Sequence, residues 1–479
     1  MPRSMRPPRY LVPMIVACAL FMEHMDATVI ATALPAIARD FGESPLRLNL
    51  AISAYLLSLA LFIPLSGWLA DRFGARTVFC SAIVIFTLGS LGCSLVGTLP
   101  QLVAARILQG MGGAMMVPVG RLVVLRMIPK SELVSAMAYL TVPALIGPVI
   151  GPPLGGFIVT YASWRWIFLI NLPIGVLGFA LATTFIGNLR ETREEPLDMK
   201  GFAIVSLGLA ATMFAFENLG RGVVAPAILA VLIAGGGSLL GWYVRHARSL
   251  AAPILDLALL RVQTFRASVA GGFVFRMGIG AMPFLLPMML QLGFGLTPFA
   301  SGMITFAGAA GAMTMKLAAA PILRWLGFRA VLLSNTILCA IFMASCACFG
   351  PTTPHLWMIA ILLVGGFFRS LQFTSLNTLA YAEISEASMS RATTLAAVGQ
   401  QLSLTFGVGF GALLLHGTLV VSGKTALGPR DFGPAFLAIA ALSLISLWFF
   451  LPLPRDAGAE LSGREEGRRA VADATHASG

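Results

Sequence analysis

The chain has 479 residues, 58% of them hydrophobic and only 11% charged, against ~25% charge in an ordinary soluble domain. So few charges cannot cover a water-exposed surface, which excludes a soluble globular, secreted or disordered chain. A nucleic-acid-binding protein is excluded as well, despite 32 Lys and Arg against 20 Asp and Glu and a net charge of +12.

A membrane-spanning helix needs ~20 mostly apolar residues, and such runs follow one another almost without a break. Six lie near 11–34, 46–70, 77–99, 101–123, 133–161 and 164–186. A charged connector from Arg190 to Lys200 precedes two more, at 201–219 and 223–243. After a polar connector from Arg245 to Arg266 come six at 267–292, 298–323, 330–349, 356–381, 389–419 and 432–453. The expected fold is all-α and polytopic, with 14 spans. Residues 1–189 form an N-terminal six-helix half and 190–250 a connector with two inserted spans at about 200–244. Residues 251–453 form a C-terminal six-helix half and 454–479 a polar cytoplasmic tail. The first run contains Glu23 and Asp26, which a cleaved signal sequence would not carry, so it is expected to stay as an anchor.

An even number of spans puts both termini on one side. The N-terminus and every second connector then hold 22 basic residues, Arg121, Arg126 and Lys130 among them, and the opposite connectors hold 6. That asymmetry makes both termini cytoplasmic. Arg106, Arg276, Lys316 and Arg369 are left inside spans. The 6 Cys all fall in predicted spans without paired spacing, and the 5 His are scattered. Neither a disulfide framework nor a metal site is implied.

The chain echoes itself. Gly67-Trp-Leu-Ala-Asp-Arg-Phe-Gly-Ala-Arg76 matches Ala320-Pro-Ile-Leu-Arg-Trp-Leu-Gly-Phe-Arg329 at Gly74/Gly327 and Arg76/Arg329, an offset of 253. Gly147, Gly151 and Gly155 in the fifth span are echoed by Gly407 and Gly411 in the thirteenth. Two six-helix halves related by an axis along the membrane normal are a transporter architecture.

Several residues stand out against the apolar background. A carboxylate inside a span, such as Asp26, is a functional group by default. Glu23, one turn earlier, shares its face; it either shares a proton with Asp26 or pairs with His24 or a water. In the loop between spans two and three, Gly67 permits close helix approach and Gly74 suits a tight turn. Asp71 there either caps a helix or pairs with a basic neighbour as a latch, beside Arg72 and Arg76. The stretch 147–156, with Gly147, Pro148, Gly151, Pro152, Pro153, Gly155 and Gly156, reads as a bent helix making a close seam between the halves. Glu217 closes the seventh span near the outer interface, where it is either simply solvated or a substrate-cavity residue. Arg276, Arg369 and Gln372 should face a cavity, holding an anionic substrate group or an acid from the other half. Lys316 is near enough to a span end to snorkel.

The 67–76 loop resembles the signature loop of the major facilitator superfamily. Four more stretches resemble motifs of its fourteen-span drug:proton antiporters: Met25-Asp-Ala-Thr-Val-Ile-Ala-Thr-Ala-Leu-Pro35, Arg106-Ile-Leu-Gln-Gly-Met-Gly112, Gly147-Pro-Val-Ile-Gly-Pro-Pro-Leu-Gly-Gly156 and Trp164-Arg-Trp-Ile-Phe-Leu-Ile-Asn-Leu-Pro-Ile-Gly175. The resemblance implies that the first and fourth spans lie side by side. Asp26 and Arg106 then differ in depth by only ~3 Å at 1.5 Å per residue and should pair, with Arg106 as a permanent counter-charge. Gln109 becomes a candidate cavity residue. The implied activity is proton-coupled export of a lipophilic or amphipathic small molecule across a bacterial cytoplasmic (inner) membrane. It needs no cofactor beyond the proton and no metal, and a monomer suffices; some members of the branch work with a periplasmic adaptor. Arg276 and Arg369 prompt an alternative, export of an anionic metabolite or metal chelate. A membrane enzyme or sensor is a distant third.

Overall fold

The computed structural model describes residues 10–43, 45–187, 196–219, 224–424 and 427–462. Arg3, Arg6, Arg9, Arg190, Arg193, Arg221, Arg464, Arg468, Arg469 and the tail beyond 462 lie outside the described residues. Among the described residues, 13 helices are long and apolar enough to cross a membrane. A further 29-residue helix, Leu133–Tyr161, stands where the fifth span is expected.

In chain order, span 1 is Leu11–Phe41; span 2 is Pro45–Phe62 continuing through Ile63–Leu65 into Ser66–Phe73; span 3 is Ala75–Leu95; span 4 is Leu99–Met127. Span 5 is Leu133–Tyr161, span 6 is Trp166–Leu169 with Asn171–Phe185, span 7 is Met199–Asn218 and span 8 is Pro226–Arg248. Span 9 is Gln263–Gly293, span 10 is Pro298–Leu326, span 11 is Phe328–Ser345 and span 12 is His355–Leu379. Span 13 is Met389–Ser422, and span 14 is Gly433–Ile445 with Leu447–Phe450.

Some boundaries differ from expectation. Span 1 continues to Phe41, where Gly42 at φ +66 ends it, so Arg39 and Asp40 are helical and Arg47 already belongs to span 2. Trp164 Nε1 (3.1 Å) and Arg165 Nη1 (2.9 Å) both donate to Asp40 Oδ2 and stitch span 1 to the entry of span 6. The polar connector expected from Arg245 begins only after Arg248, and Arg266 sits in the first turn of span 9. Glycine-rich stretches at 235–237 and 407–411 do not break spans 8 and 13. Inside a bilayer no water is available to take over the freed backbone groups.

The pairing of helices repeats. Span 1 packs on span 5, and spans 2 and 3 on span 4; span 9 packs on span 13, and spans 10 and 11 on span 12. Each 2–3 and 10–11 connection turns at one residue, Gly74 at φ +91 and Gly327 at φ +80. Only glycine occupies that region without strain, which explains the echo in sequence.

The inserted pair, spans 7 and 8, forms a hairpin joined backbone to backbone, since a Cβ on Gly236 would sit 3.0 Å from the Gly208 carbonyl. Span 7 contacts span 2 and span 13 together. Ser206 Oγ donates to Leu61 O at 2.7 Å, and Phe216 stacks on Phe406 at 4.2 Å. At its other end, His246 Nε2 lies 2.9 Å from Asp198 Oδ1, and Tyr243 hydroxyl accepts from Leu255 N (2.7 Å) while donating to Leu255 O (3.0 Å).

Candidate functional site

The face from which span 1 departs is here the near face. Within the N-terminal half, glycines set how closely spans approach. A Cβ on Gly110 would meet Tyr55 O at 2.7 Å, one on Gly112 would meet Phe86 N at 2.5 Å, and one on Gly89 would meet Gln109 Cα at 2.7 Å. Spans 2 and 3 therefore close against span 4, and their side chains meet at mid-depth.

What meets there is a buried polar cluster. Arg106 and Gln109 are 0% exposed and Asp26 is 3% exposed. Arg106 Nη1 donates to Asp26 Oδ2 at 2.5 Å and to Gln109 Oε1 at 2.6 Å. Gln109 Nε2 donates to Asp26 Oδ1 (2.8 Å) and Ser90 Oγ (2.7 Å). Asn171 Nδ2 donates to Asp26 Oδ1 (3.0 Å) and Ser90 Oγ (3.1 Å). The guanidinium lies 4.2 Å from the centre of the Tyr55 ring, with Nε 3.4 Å from Ala51 O. Spans 1, 2, 3, 4 and 6 all contribute.

The Asp26–Arg106 pairing, expected from the resemblance together with the matching depths, is thus present. Glu23 is buried one turn away, and its Oε2 has no hydrogen-bond partner, like Tyr55 hydroxyl, Arg106 Nη2 and Asn171 Oδ1. Neither the expected His24 pair nor a hydrogen bond to Asp26 forms at that oxygen. The sequence reading missed Asn171, Ser90 and Tyr55. Asn171 carried a signal, an amide in the apolar run Trp166–Gly175; Ser90 and Tyr55 carried none, because small hydroxyls and tyrosines are ordinary in spans.

Of the two expectations for Asp71, the structure shows the pair with a basic neighbour, and a second contact of the same carboxylate crosses between the halves. Asp71 Oδ1 pairs with Arg126 Nη2 at 3.1 Å, and Ser390 Oγ of span 13 donates to Asp71 Oδ2. A Cβ on Gly67 would meet Thr394 Oγ1 at 2.6 Å and Ser390 O at 2.9 Å. Ser66 and Thr394 hydroxyls are 3.1 Å apart. Arg72 rests 5.8 Å from the Trp68 ring, and Arg76 borders a groove with Phe179 and Thr183. Arg121, expected as an orientation charge in a loop, lies inside span 4 at 5% exposure. It reaches Tyr381 hydroxyl and Gln400 Oε1 of the other half, each at 3.3 Å. Span 4 runs one and a half turns past it to Met127, which keeps it from solvent. Lys130 and Glu460 add a 3.3 Å pair. The bonds from Asp71, Ser66 and Arg121 that cross between the halves cluster at the near face.

The glycine seam of span 5 needs correction. A Cβ on Gly147 would meet Met25 N at 3.0 Å, and Gly151 and Gly155 abut Thr28, Val29 and Thr32. The seam is therefore with span 1, inside the N-terminal half, and Gly156 faces open space. Other parts of span 5 meet spans 10 and 12. The side chains of Pro148 and Pro152 lie outside the described residues. The expected bend does not interrupt the helix.

In the C-terminal half, Arg276 (5% exposed) donates from Nη2 to Asn377 Oδ1 at 3.0 Å, an amide of its own half rather than an acid. Lys316 does not snorkel: its Nζ donates inward to Thr374 Oγ1 at 2.8 Å, a buried hydroxyl that satisfies the ammonium better than a span-end detour. Gln372 is buried on Thr336 Oγ1 (2.9 Å), and Arg369 borders a cavity of ≈ 440 Å³. Glu217 is half-buried at the end of span 7. Among the described residues, no group of three or more His, Cys, Asp or Glu could hold a metal ion.

The sequence profile of the Major Facilitator Superfamily matches residues 16–408, and again 269–477. The chain is 38% identical over 447 residues to the putative multidrug resistance protein MdtD of Salmonella heidelberg strain SL476, covering 92% of this chain and 94% of that one. It is 38% identical over 449 residues to the protein of the same name in Salmonella typhimurium, with the same coverage. Among solved structures, the human organic anion transporter MFSD10 superposes with a TM-score of 0.67 at 16% identity, covering 93% of this chain and 100% of that chain. The proton:xylose symporter XylE does so at 0.65 and 16% identity, covering 95% and 98%. At such identities the two structures speak for the fold alone.

Proposed function

The chain belongs to the major facilitator superfamily, and from that premise we propose that it is a proton-coupled antiporter exporting lipophilic or amphipathic small molecules by alternating access. It is a multi-pass membrane transporter, not an enzyme. The working unit is a single chain in the bacterial cytoplasmic membrane, with both termini and the near face cytoplasmic. Its moving parts are the halves 1–189 and 251–453.

One observation carries the reading: a carboxylate, Asp26, buried mid-span and held by three donors from spans 4 and 6. A proton arriving on Asp26 cancels its charge and weakens the pair. Arg106 stays charged, and the loss of its counter-charge is partly offset because Gln109 Oε1, Ala51 O and the Tyr55 ring still hold it. The pair can therefore open and re-form in each cycle, and Glu23 one turn away is a second proton acceptor. At the near face, the Asp71–Arg126–Ser390 contacts and the Gly67 seam hold the halves closed, and their release admits cargo. Span 5 slides with span 1 along the Gly147–Gly155 seam, so a proton on span 1 moves both.

The test is uphill substrate movement in proteoliposomes under an imposed pH gradient. Asp26→Asn is expected to abolish gradient-driven accumulation. Undiminished uphill transport by that variant overturns the assignment.

A further inference from the structure

The polar cluster of the N-terminal half has a counterpart in the other half, with one member missing. Arg106-Ile-Leu-Gln109 on span 4 is echoed by Arg369-Ser-Leu-Gln372 on span 12. Gln109 Nε2 donates to a hydroxyl on span 3, Ser90 (2.7 Å); Gln372 Nε2 donates to a hydroxyl on span 11, Thr336 (2.9 Å). The fourth-span helix of each half thus presents Arg and Gln one turn apart, with the amide tied to the same neighbour.

The acid is what differs. The two glycine seams fix which part of span 9 stands where Asp26 stands on span 1. Gly147 abuts residues 24–25 and Gly151 abuts 28–29, while Gly407 abuts Met277 and Gly280, and Gly411 abuts Ala281 and Leu285. The counterpart of Asp26 therefore falls within the stretch Ile279-Gly-Ala-Met282, which has no acid. Ile279 and Met282 line the ≈ 440 Å³ cavity that Arg369 borders. Spans 10 and 12 meet there backbone to backbone, since a Cβ on Gly366 would overlap the Gly308 carbonyl, and Arg369 Nη2 stands 3.9 Å from a Cβ placed on Gly308. Among the described residues, no hydrogen bond or ion pair engages Arg369, and Gln372 Oε1 is buried without a partner. Where Arg106 has Asp26, Arg369 has a cavity walled by Met282, Leu286, Phe342, Met343 and Leu362.

A permanent cation inside a span is costly without a counter-charge, and a pocket of a few hundred Å³ is the size that holds a small organic molecule. We propose that this cavity is a binding site for a small amphipathic organic anion, whose carboxylate or sulfonate head pairs with Arg369 and whose apolar body fills the methionine- and phenylalanine-lined walls. In the N-terminal half the counter-charge belongs to the protein; in the C-terminal half it arrives with the ligand. The inference rests on the exporter reading only in treating that ligand as cargo.

Binding can be measured without any gradient, which separates this proposal from proton coupling. The full-length protein in nanodiscs is titrated with radiolabelled 2-naphthoate and, separately, with uncharged 2-naphthamide. The carboxylate is expected to bind on the order of tenfold more tightly than the amide, the scale of a charge-assisted hydrogen bond. Arg369→Gln should erase that preference and Arg369→Lys should keep part of it. Met282→Asp, which restores the missing acid, should erase it by neutralising Arg369 internally. Equal binding of carboxylate and amide by the unaltered protein overturns the proposal whatever the variants do. So does a carboxylate preference that survives in monodisperse Arg369→Gln or Met282→Asp protein. Asp26→Asn should retain the preference while losing uphill transport; a failure of the antiport reading would then appear in the liposomes and not here.

Discussion

Replacing Asp26 by Asn alone and together with Arg106→Gln separates two roles of one ion pair. In the single variant the side chain keeps its shape but loses its charge, leaving a guanidinium that is 0% exposed facing an amide. Stranding one member of a buried pair costs about 3–5 kcal/mol. The retained acceptors of Arg106, Gln109 Oε1 at 2.6 Å and Ala51 O at 3.4 Å, place the expected loss at the lower end, about 3 kcal/mol. In the double variant neither member of the pair is left behind as an unpaired charge, and replacing a whole buried pair by neutral groups is close to neutral. It should recover at least ~2 kcal/mol of the single variant's loss, a coupling typical of residues in contact. Stability is read from denaturant or thermal midpoints in detergent, and coupling from uphill transport in proteoliposomes. The double variant should regain stability and remain unable to transport uphill. A double variant no more stable than Asp26→Asn would refute the ion-pair account; one that transports uphill would refute the coupling account.

Further outcomes are expected at the near face. Cysteines placed at Ser66 and Thr394, whose hydroxyls are 3.1 Å apart, should cross-link readily. Adding Gly67→Leu, whose Cβ would fall 2.6 Å from Thr394 Oγ1, should cut that cross-linking severalfold by wedging the halves apart; unchanged cross-linking would count against closure there. Asp71→Asn should lower transport turnover with a stability change of only ~1 kcal/mol or less, since its pair with Arg126 is partly solvated (side chains 23% and 9% exposed); a larger fall in the unfolding midpoint would make it a structural residue.

The pattern of spans was legible because a bilayer imposes length and apolarity on each helix independently of its neighbours. Asp26 and Arg106 were legible for a related reason: a charge in such a run has no cheap explanation, and depth along two helices restricts its partner. Asn171, Ser90 and Tyr55 were not, because which neutral polar groups converge depends on how the helices rotate against each other. That rotation is set by glycines such as Gly89, Gly110 and Gly112 whose partners lie on other spans. Arg121 was misplaced because a basic residue six positions from a helix end reads like a loop charge until the packing of span 13 covers it. The span 5 glycines were recognised as a seam, but a helix with small residues on one face does not declare which neighbour that face meets. The echo of Gly74 and Gly327 was visible, and the shared left-handed turn supplies its physical cause.

Span 7 contributes an asymmetry of its own. By touching span 2 through Ser206 and Leu61 and span 13 through Phe216 and Phe406, it plugs one flank of the line where the halves meet. On the opposite flank, among the described residues, span 5 packs against spans 10 and 12. A solute already dissolved in the bilayer therefore meets two unequal walls. One is a hairpin that must be displaced bodily; the other is a seam of helices that part whenever the halves rock. On the alternating-access cycle proposed above, lateral entry from lipid would use that second wall, giving the carrier a sidedness within the plane of the membrane as well as across it.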